Sequence, residues 1–314
     1  MGISVVIPVY NSEGSLKPLV ERLHPVLEGC HQEYELILVN DSSRDNSWGI
    51  IGEICGEHPW VCGISLMRNY GQHNALLCGI RHARFDTVVT IDDDLQHPPE
   101  EIPTLLAALT VDVDVVYGTP QNEQHGFLRD LASQITKFAL GSAMGTEVAR
   151  NVCAFRAFRT HLRDAFVTYQ SPFISIDILL TWATTKFKAI KVRHEPRHIG
   201  VSNYTFRKLV IHAVNMITGF STMPLEFASL LGFGFTIFGV LVLVYVLIRF
   251  TLQGTPIPGF PFLASIVAIF SGTQLFTLGI MGQYLARMHF RLMDKPSYVV
   301  KVTLRNDIEN QAQN

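Results

Sequence analysis

From Phe227 to Ile248 the chain reads FASLLGFGFTIFGVLVLVYVLI, 22 residues without a charge. As an α-helix this run is about 33 Å long, at about 1.5 Å per residue, which matches the hydrocarbon core of a bilayer. Helices in soluble cores rarely run so far without a polar face. Arg249 ends the run, and TLQGTPIPG follows with Pro256, Pro258 and Gly259 as breakers. A second apolar stretch extends from Phe262 to Ala286 and is closed by Arg287. Its interior holds Ser265, Ser271, Thr273, Gln274 and Gln283, and Arg249 is the only charge between Phe227 and Ala286. The expected element is a two-helix transmembrane hairpin over 227–286, with spans 227–248 and 262–286. It explains why the 314-residue chain is 48% hydrophobic and only 17% charged, against about 25% charged residues in ordinary soluble domains.

The flanks give an orientation. Arg207 and Lys208 precede the first span, whereas Arg287, Arg291, Lys295 and Lys301 follow the second. Positive charge on the outer flanks places both chain ends in the cytoplasm of a multi-pass plasma (inner) membrane protein. Met1 to Tyr10 lack a basic start and read as a strand, not as a secretory signal. The five cysteines are odd in number and have no C-x-x-C spacing, which fits a reducing compartment. With 25 Lys+Arg against 27 Asp+Glu, no basic excess exists to neutralise a nucleic-acid backbone. Between Tyr204 and Met223 an apolar stripe (Leu209, Ala213, Met216, Ile217, Phe220) lies beside Arg207 and Lys208. That pattern suits a helix lying in the membrane interface. The expected organisation is a domain over 1–204, a juxtamembrane helix over 205–226, the hairpin over 227–286 and a cytoplasmic tail over 287–314. Gly232, Gly234, Gly239, Gly272, Gly279 and Gly282 permit close helix contact, within the hairpin or in a homo-oligomer.

The first 200 residues alternate between strand and helix signals. ISVVIPVY, YELILVND, Val61 to Leu66, TVVTIDDD and VDVVYG read as five strands. Leu16 to Leu27, the segment after SSRDNSW, His73 to Ala83 and Ile102 to Leu109 read as the intervening helices. Such alternation implies an α/β fold, a mostly parallel sheet flanked by helices. Ligands of such sheets bind beyond the carboxyl ends of the strands. The polar clusters fall there: Pro8 to Asn11, Asn40 to Ser43, and Asp92 to Gln96. No Gly-x-Gly-x-x-Gly or Gly-x-x-x-x-Gly-Lys follows a strand, which disfavours a dinucleotide fold or a P-loop.

Asp92, Asp93 and Asp94 are expected to close the fourth strand. Strand alternation then sends Asp92 and Asp94 to one side and Asp93 to the other. Adjacent carboxylates repel one another, and a hard divalent cation relieves that repulsion. Gln96 stands two residues on and offers a further oxygen ligand. The alternative is a solvated acidic turn leading into Pro98-Pro99.

IPVYN, LVND followed by SS, RNYGQHNALLCGI, IDDDLQHPPEEIP and RHIGVSNY together resemble the family 2 inverting glycosyltransferases of GT-A (Rossmann-like) fold. The similarity is to the branch that loads sugars onto polyisoprenyl phosphate, which includes GtrB-type and ArnC-type enzymes and dolichol-phosphate mannose synthase. It covers nearly the whole chain, terminal hairpin included. The resemblance implies a membrane-anchored transferase that moves a hexose, with glucose as first candidate, from a nucleotide diphosphate sugar, with UDP as first candidate. The acceptor implied is undecaprenyl phosphate, and the lipid-linked sugar would serve cell-envelope glycan modification. Carried over by position, Pro8, Tyr10, Asn11, Glu13, Asp41, Asp92, Asp93, Ser202 and Tyr204 would bind the nucleotide sugar. Asp94 and Gln96 would hold Mg²⁺ or Mn²⁺. Asp92, Asp94 and Arg197 would carry catalysis. Arg129 and Arg156 are further candidates for the acceptor phosphate.

The chain departs from the family pattern at several points. Ser12 stands where a glutamate usually follows the Asn, with Glu13 one place later. Ser42-Ser43 replaces a Gly-Ser turn. Pro120, Ala154 and Asn203 stand where relatives carry charge. The competing reading is therefore a weakly active or inactive membrane scaffold that keeps the fold. A processive polysaccharide synthase would show Q-x-x-R-W and more membrane helices, and the sequence has neither.

Overall fold

The computed structural model describes residues 2–120, 152–171, 174–195, 222–253 and 259–305. The chain divides into two units, Met1–Val210 with Asp294–Asn314, and Ile211–Met293.

The first unit is built on β1 (Gly2–Val9), β2 (Glu33–Asn40), β3 (Val61–Leu66), β4 (Thr87–Thr90), β5 (Val115–Pro120), β6 (Arg156–Arg159), β7 (Phe187–Val192) and β8 (Val300–Arg305). They form one sheet in the order β7-β5-β6-β4-β1-β2-β3-β8. Its centre is parallel: β1 pairs with β2 and β4, and β2 with β3. β6 runs antiparallel between β4 and β5, and β8 runs antiparallel along β3. All eight residues of β1 are buried, as expected where helices cover both faces of a parallel sheet.

Strand periodicity divides the core in two. Ile3, Val5 and Ile7 of β1, with Leu36 and Leu38 of β2, meet α1 (Leu16–Gly29), α2 (Ser47–Glu57) and α4 (Ile102–Ala108). Val6, Ile37 and Val39 meet α3 (Gln72–His82) and α5 (Ile176–Ala183) on the other face. α1 earns its place through Leu16, Leu19, Val20, Leu23 and Leu27, one buried stripe at helical spacing.

β8 was not anticipated, since its residues fall in the segment expected to be a tail. It pairs Arg305 with Cys62 and Val300 with Leu66. Arg305 also reaches a carboxylate at the amino-terminal edge of the sheet. There Glu35, 1% exposed, accepts hydrogen bonds from Ser4 Oγ at 2.7 Å, Arg84 N at 2.7 Å, Arg84 Nε at 2.9 Å and Arg305 Nη2 at 2.9 Å. A cleft of about 730 Å³ opens on this same edge, lined in part by Arg84, Asp86, Thr87, Arg159 and Arg163.

The second unit contains α6 (Met223–Gln253) and α7 (Phe260–Leu292). Both outrun the expected spans, and α6 takes in the end of the segment assigned to the juxtamembrane helix. Residues 205–221 lie outside the described residues. Phe235 and Phe270 meet edge to face at 5.8 Å between ring centroids. At Gly239 a Cβ would stand 3.2 Å from the Phe270 ring, so the glycine admits that ring. Leu230, Phe233, Leu241, Tyr245, Leu275 and Leu285 are exposed, an apolar surface that needs lipid or protein to cover it. Met223–Arg249 is long and apolar enough to cross a membrane, and it is the one helix among the described residues to be so by length and composition. α7 is as long, but Ser271, Thr273, Gln274 and Gln283 interrupt it.

Candidate active site

The carboxyl ends of β1, β2 and β4 each run into a polar loop, and these loops are laced together. After β1, Tyr10 is 40% exposed and Asn11 adopts φ 55°. The Asn11 side chain accepts from Arg44 N at 2.8 Å, while Asn11 N donates to Ser43 Oγ at 3.0 Å. Glu13 accepts from Asn46 N at 2.9 Å, and Ser12 N donates to Ser47 Oγ at 2.8 Å. After β2, Ser42 adopts φ 57°, and Ser43 N donates to Asn40 Oδ1 at 3.1 Å. Pro8 is buried as the last but one residue of β1.

Asp41, 2% exposed, accepts from Tyr70 N and Gly71 N, both at 2.7 Å. Burial pushes its carboxyl up, and the two amide donors oppose that shift. Gly71 has φ 95°, which a side chain resists. Asp41 thus fixes the loop that starts α3, a task the sequence did not disclose. Arg68, exposed on the same loop, lies over the Tyr70 ring at 4.7 Å.

β4 ends at Thr90, so the three aspartates lie past the strand, in the turn that follows. The alternation expected of Asp92 and Asp94 against Asp93 thus has no strand to rest on, and the turn sets the partners of each side chain. Leu95 turns the chain with φ 60°. Asp92 Oδ1 accepts from Gln72 Nε2 at 2.7 Å. Asp93 Oδ2 accepts from Tyr10 N at 3.3 Å and from Ser12 Oγ. Asp94 Oδ1 accepts from Gln96 N at 3.1 Å. The turn thereby gathers Tyr10, Ser12 and Gln72 around the acidic run.

Among the described residues, the hydrogen-bond donors to Asp92 and Asp93 are uncharged. Burial first, then Asp94 and Asp93, raise Asp92 to about 7, with Arg156 opposing. Burial raises Asp93 to about 6, against the hydrogen bonds from Ser12 and Tyr10. His97 is buried beside the turn, its Nε2 3.4 Å from Cys153 Sγ and its ring 5.0 Å from that of His194. Burial lowers it to about 4, so it is neutral at pH 7.

Arg156, expected as a candidate for the acceptor phosphate, is engaged inside the domain. Its guanidinium is 1% exposed, pairs with Asp177 and donates from Nε to Thr90 Oγ1 at 2.9 Å. Tyr117 Oη completes the network on Asp177 at 3.1 Å. Through Thr90 Oγ1, Arg156 ties the end of β4 to Asp177. Arg129, Arg197, Ser202 and Tyr204 lie outside the described residues. Ser12, Ser43, Ser47 and Gln72, whose side chains join these loops, were not singled out from the sequence. Gln72 was legible within RNYGQH, whereas Ser12 entered only as a departure from the family pattern.

Residues 4–166 match the model of glycosyl transferase family 2. The chain is 35% identical over 302 residues to an undecaprenyl-phosphate 4-deoxy-4-formamido-L-arabinose transferase of Shewanella sediminis, covering 95% of this chain and 91% of that one. It is 36% identical to the protein of the same name in Proteus mirabilis, with 95% and 93% covered. Among solved structures it is similar to glucosyl-3-phosphoglycerate synthase of Mycobacterium tuberculosis bound to Mn²⁺, UDP and glucosyl-3-phosphoglycerate. That match has a TM-score of 0.51 at 18% identity, covering 69% of this chain and 77% of the other. At that identity the likeness concerns the fold.

Proposed function

Since the chain belongs to glycosyl transferase family 2, we propose that it moves a sugar from a nucleotide diphosphate to a polyisoprenyl phosphate at a membrane surface. The observation that carries this reading is the acidic turn after β4. Its three carboxylates are crowded and partly buried, and the pKa values of Asp92 and Asp93 are raised, in a chain that also carries an apolar helix of membrane length. The relatives named for undecaprenyl-phosphate chemistry align with the hairpin as well as the α/β domain.

The donor set fits a divalent cation. Among the described residues no three His, Cys, Asp or Glu side chains form a metal cage. Mg²⁺ and Mn²⁺ suit such a site, where one or two carboxylates share the ion with substrate phosphates. Asp94 and Gln96 would hold it. When bound, the ion supplies positive charge to the diphosphate leaving group. Tyr10, Asn11 and the loop fixed by Asp41 face the nucleotide in this reading, and Gln72 orients Asp92. The acceptor is a phosphate monoester with a second pKa of about 6. It is mostly a dianion at pH 7, so the chain need not supply a strong base. What it must supply is cationic side chains for two anionic reactants, a role left to Arg197 and Arg129. In-line attack inverts the anomeric carbon.

Support for a hairpin comes from the sheet. β1 near the amino terminus and β8 after α7 belong to one sheet, so the chain must cross the membrane an even number of times between them. If α6 spans, α7 returns. The flanking Arg287, Lys295 and Lys301 favour the cytoplasm for both ends. A Cβ at Gly232, Gly234, Gly279 or Gly282 would meet nothing within 4 Å among the described residues beyond its own helix, and these positions offer a second copy close approach.

Membranes carrying the chain, incubated with undecaprenyl phosphate and radiolabelled donors, should yield an organic-extractable sugar lipid. UDP-glucose is the first donor to test, beside UDP-4-deoxy-4-formamido-L-arabinose and GDP-mannose. Absence of product from any nucleotide sugar overturns the proposal.

A further inference from the structure

We infer that Arg22 is a positioning residue for the metal-binding turn, a reading that rests on the proposed transferase site. Arg22 projects from α1, outside the acidic run and outside every motif the sequence singles out. Its guanidinium is gripped on two edges. Nε and Nη2 donate to Glu100 Oε1 and Oε2 at 3.0 and 2.9 Å. Nη1 and Nη2 donate to Glu195 Oε2 and Oε1 at 3.2 and 3.1 Å. Both carboxylates belong to segments that bound the turn. Glu100 lies in the 3-10 turn Pro99–Glu101, which follows Gln96 directly through His97 and Pro98. Glu195 follows β7, and its N–H donates to the Gln96 carbonyl at 2.9 Å. One guanidinium therefore holds the downstream end of the turn through Glu100 and its middle, at Gln96, through Glu195.

The upstream end is fixed separately, by Gln72 on Asp92 and by Tyr10 and Ser12 on Asp93. Between the two anchorages stand Asp94, Leu95 with its φ of 60°, and Gln96. Those are the residues that must keep a fixed spacing to share one ion. A second brace, Arg193 Nε to Glu101 Oε1 at 2.6 Å, ties the same two segments together. The geometry calls for arginine, since a planar fork can meet two carboxylates bidentately and an ammonium cannot. The three side chains are 32–38% exposed, so the contacts contribute little to global stability. Their effect is local.

The test uses the full-length chain in detergent, with Mn²⁺ binding in the presence of UDP followed by electron paramagnetic resonance. Arg22→Met should weaken Mn²⁺ about tenfold, the lower end for residues that orient metal ligands, at an unchanged melting temperature. Arg22→Lys should fall between wild type and Arg22→Met. Lys17→Met is the control: Lys17 lies on the same helix and pairs with Glu53 at 2.6 Å, away from the turn, so Mn²⁺ affinity should stay at wild type. Wild-type affinity in Arg22→Met, or a loss matched by Lys17→Met, overturns the inference. Failure of the wild-type chain to bind Mn²⁺ with UDP overturns the transferase reading and this inference with it.

Discussion

The two edges of the sheet treat their carboxylates in opposite ways: Glu35 is buried, Asp92 and Asp93 only half-buried. At the amino-terminal edge Glu35 is enclosed, yet Ser4, Arg84 and Arg305 supply it with four hydrogen bonds and two cations. At the carboxyl-terminal edge Asp92 and Asp93 receive donors from Gln72, Tyr10 and Ser12, none of them charged. Arg156, the cation behind them, is committed to Asp177. A buried charge must be paired or it neutralises itself, and that is the direction in which Asp92 and Asp93 shift. Burial of a carboxylate is therefore no mark of function by itself. What distinguishes the carboxyl-terminal edge is that, among the described residues, the hydrogen-bond donors on Asp92 and Asp93 are uncharged.

The largest expected effect separates the edges by chemistry. Asp94→Asn should lower turnover about a thousandfold, roughly 4 kcal/mol of transition-state stabilisation, while the melting temperature stays put. Glu35→Gln should do the reverse. It removes charge-assisted hydrogen bonds and costs about 2 kcal/mol of stability, with turnover per folded molecule unchanged. Turnover assays and thermal melts on both variants check the pair. Equal turnover in Asp94→Asn and wild type removes Asp94 from the site.

The next effect is in pH. Native Asp92 titrates near 7, and an unfolded aspartate titrates near 4. Between these values the native state holds the extra proton, so the metal-free protein loses stability as pH rises from about 4 to 7. Asp92→Asn removes the charge that burial penalises. It should raise the metal-free melting temperature at pH 8 by a few degrees and leave it unchanged at pH 4. Mn²⁺ with UDP should stabilise the wild type more at pH 8 than at pH 5, because the ion competes with those protons. A metal-free melting temperature independent of pH in this window breaks the contrast between the edges.

The sequence disclosed the ligand-facing edge far better than the opposite one. The five early strands and their helices follow from local periodicity, and the strand ends announce themselves through IPVYN, LVND and DDD. β8 does not. VKVTLR alternates like a strand, but pairing with β3 joins residues more than 200 apart, and local pattern names no partner at that range. Arg156 looked available because arginine is mostly exposed. Its burial depends on Asp177 and Tyr117, which arrive from α5 and β5 only when the chain has folded. The extent of β4 was overestimated for a simpler reason: the strand stops at Thr90, and the aspartates that were expected to close it lie in the following turn.

The smallest expected effect probes backbone strain at the ligand-facing edge. Asn11, Ser42 and Leu95 all have positive φ, one after each of β1, β2 and β4. Asn tolerates that region, whereas a serine there carries part of the roughly 1–2 kcal/mol penalty of a left-handed residue. Glycine relieves the strain but gives the unfolded chain more freedom, so Ser42→Gly should stabilise by only about 0.5 kcal/mol. In this chain the strained Ser42 sits between buried Asp41 and Ser43, whose hydroxyl accepts from Asn11 N, so it fixes the spacing of the β1 and β2 loops. Ser42→Gly should therefore raise the melting temperature slightly and also raise the donor KM, with kcat held. Both shifts together tie the strain to the nucleotide loops. A gain in stability with the donor KM unchanged makes the strain a local cost of the serine, without a part in holding the donor.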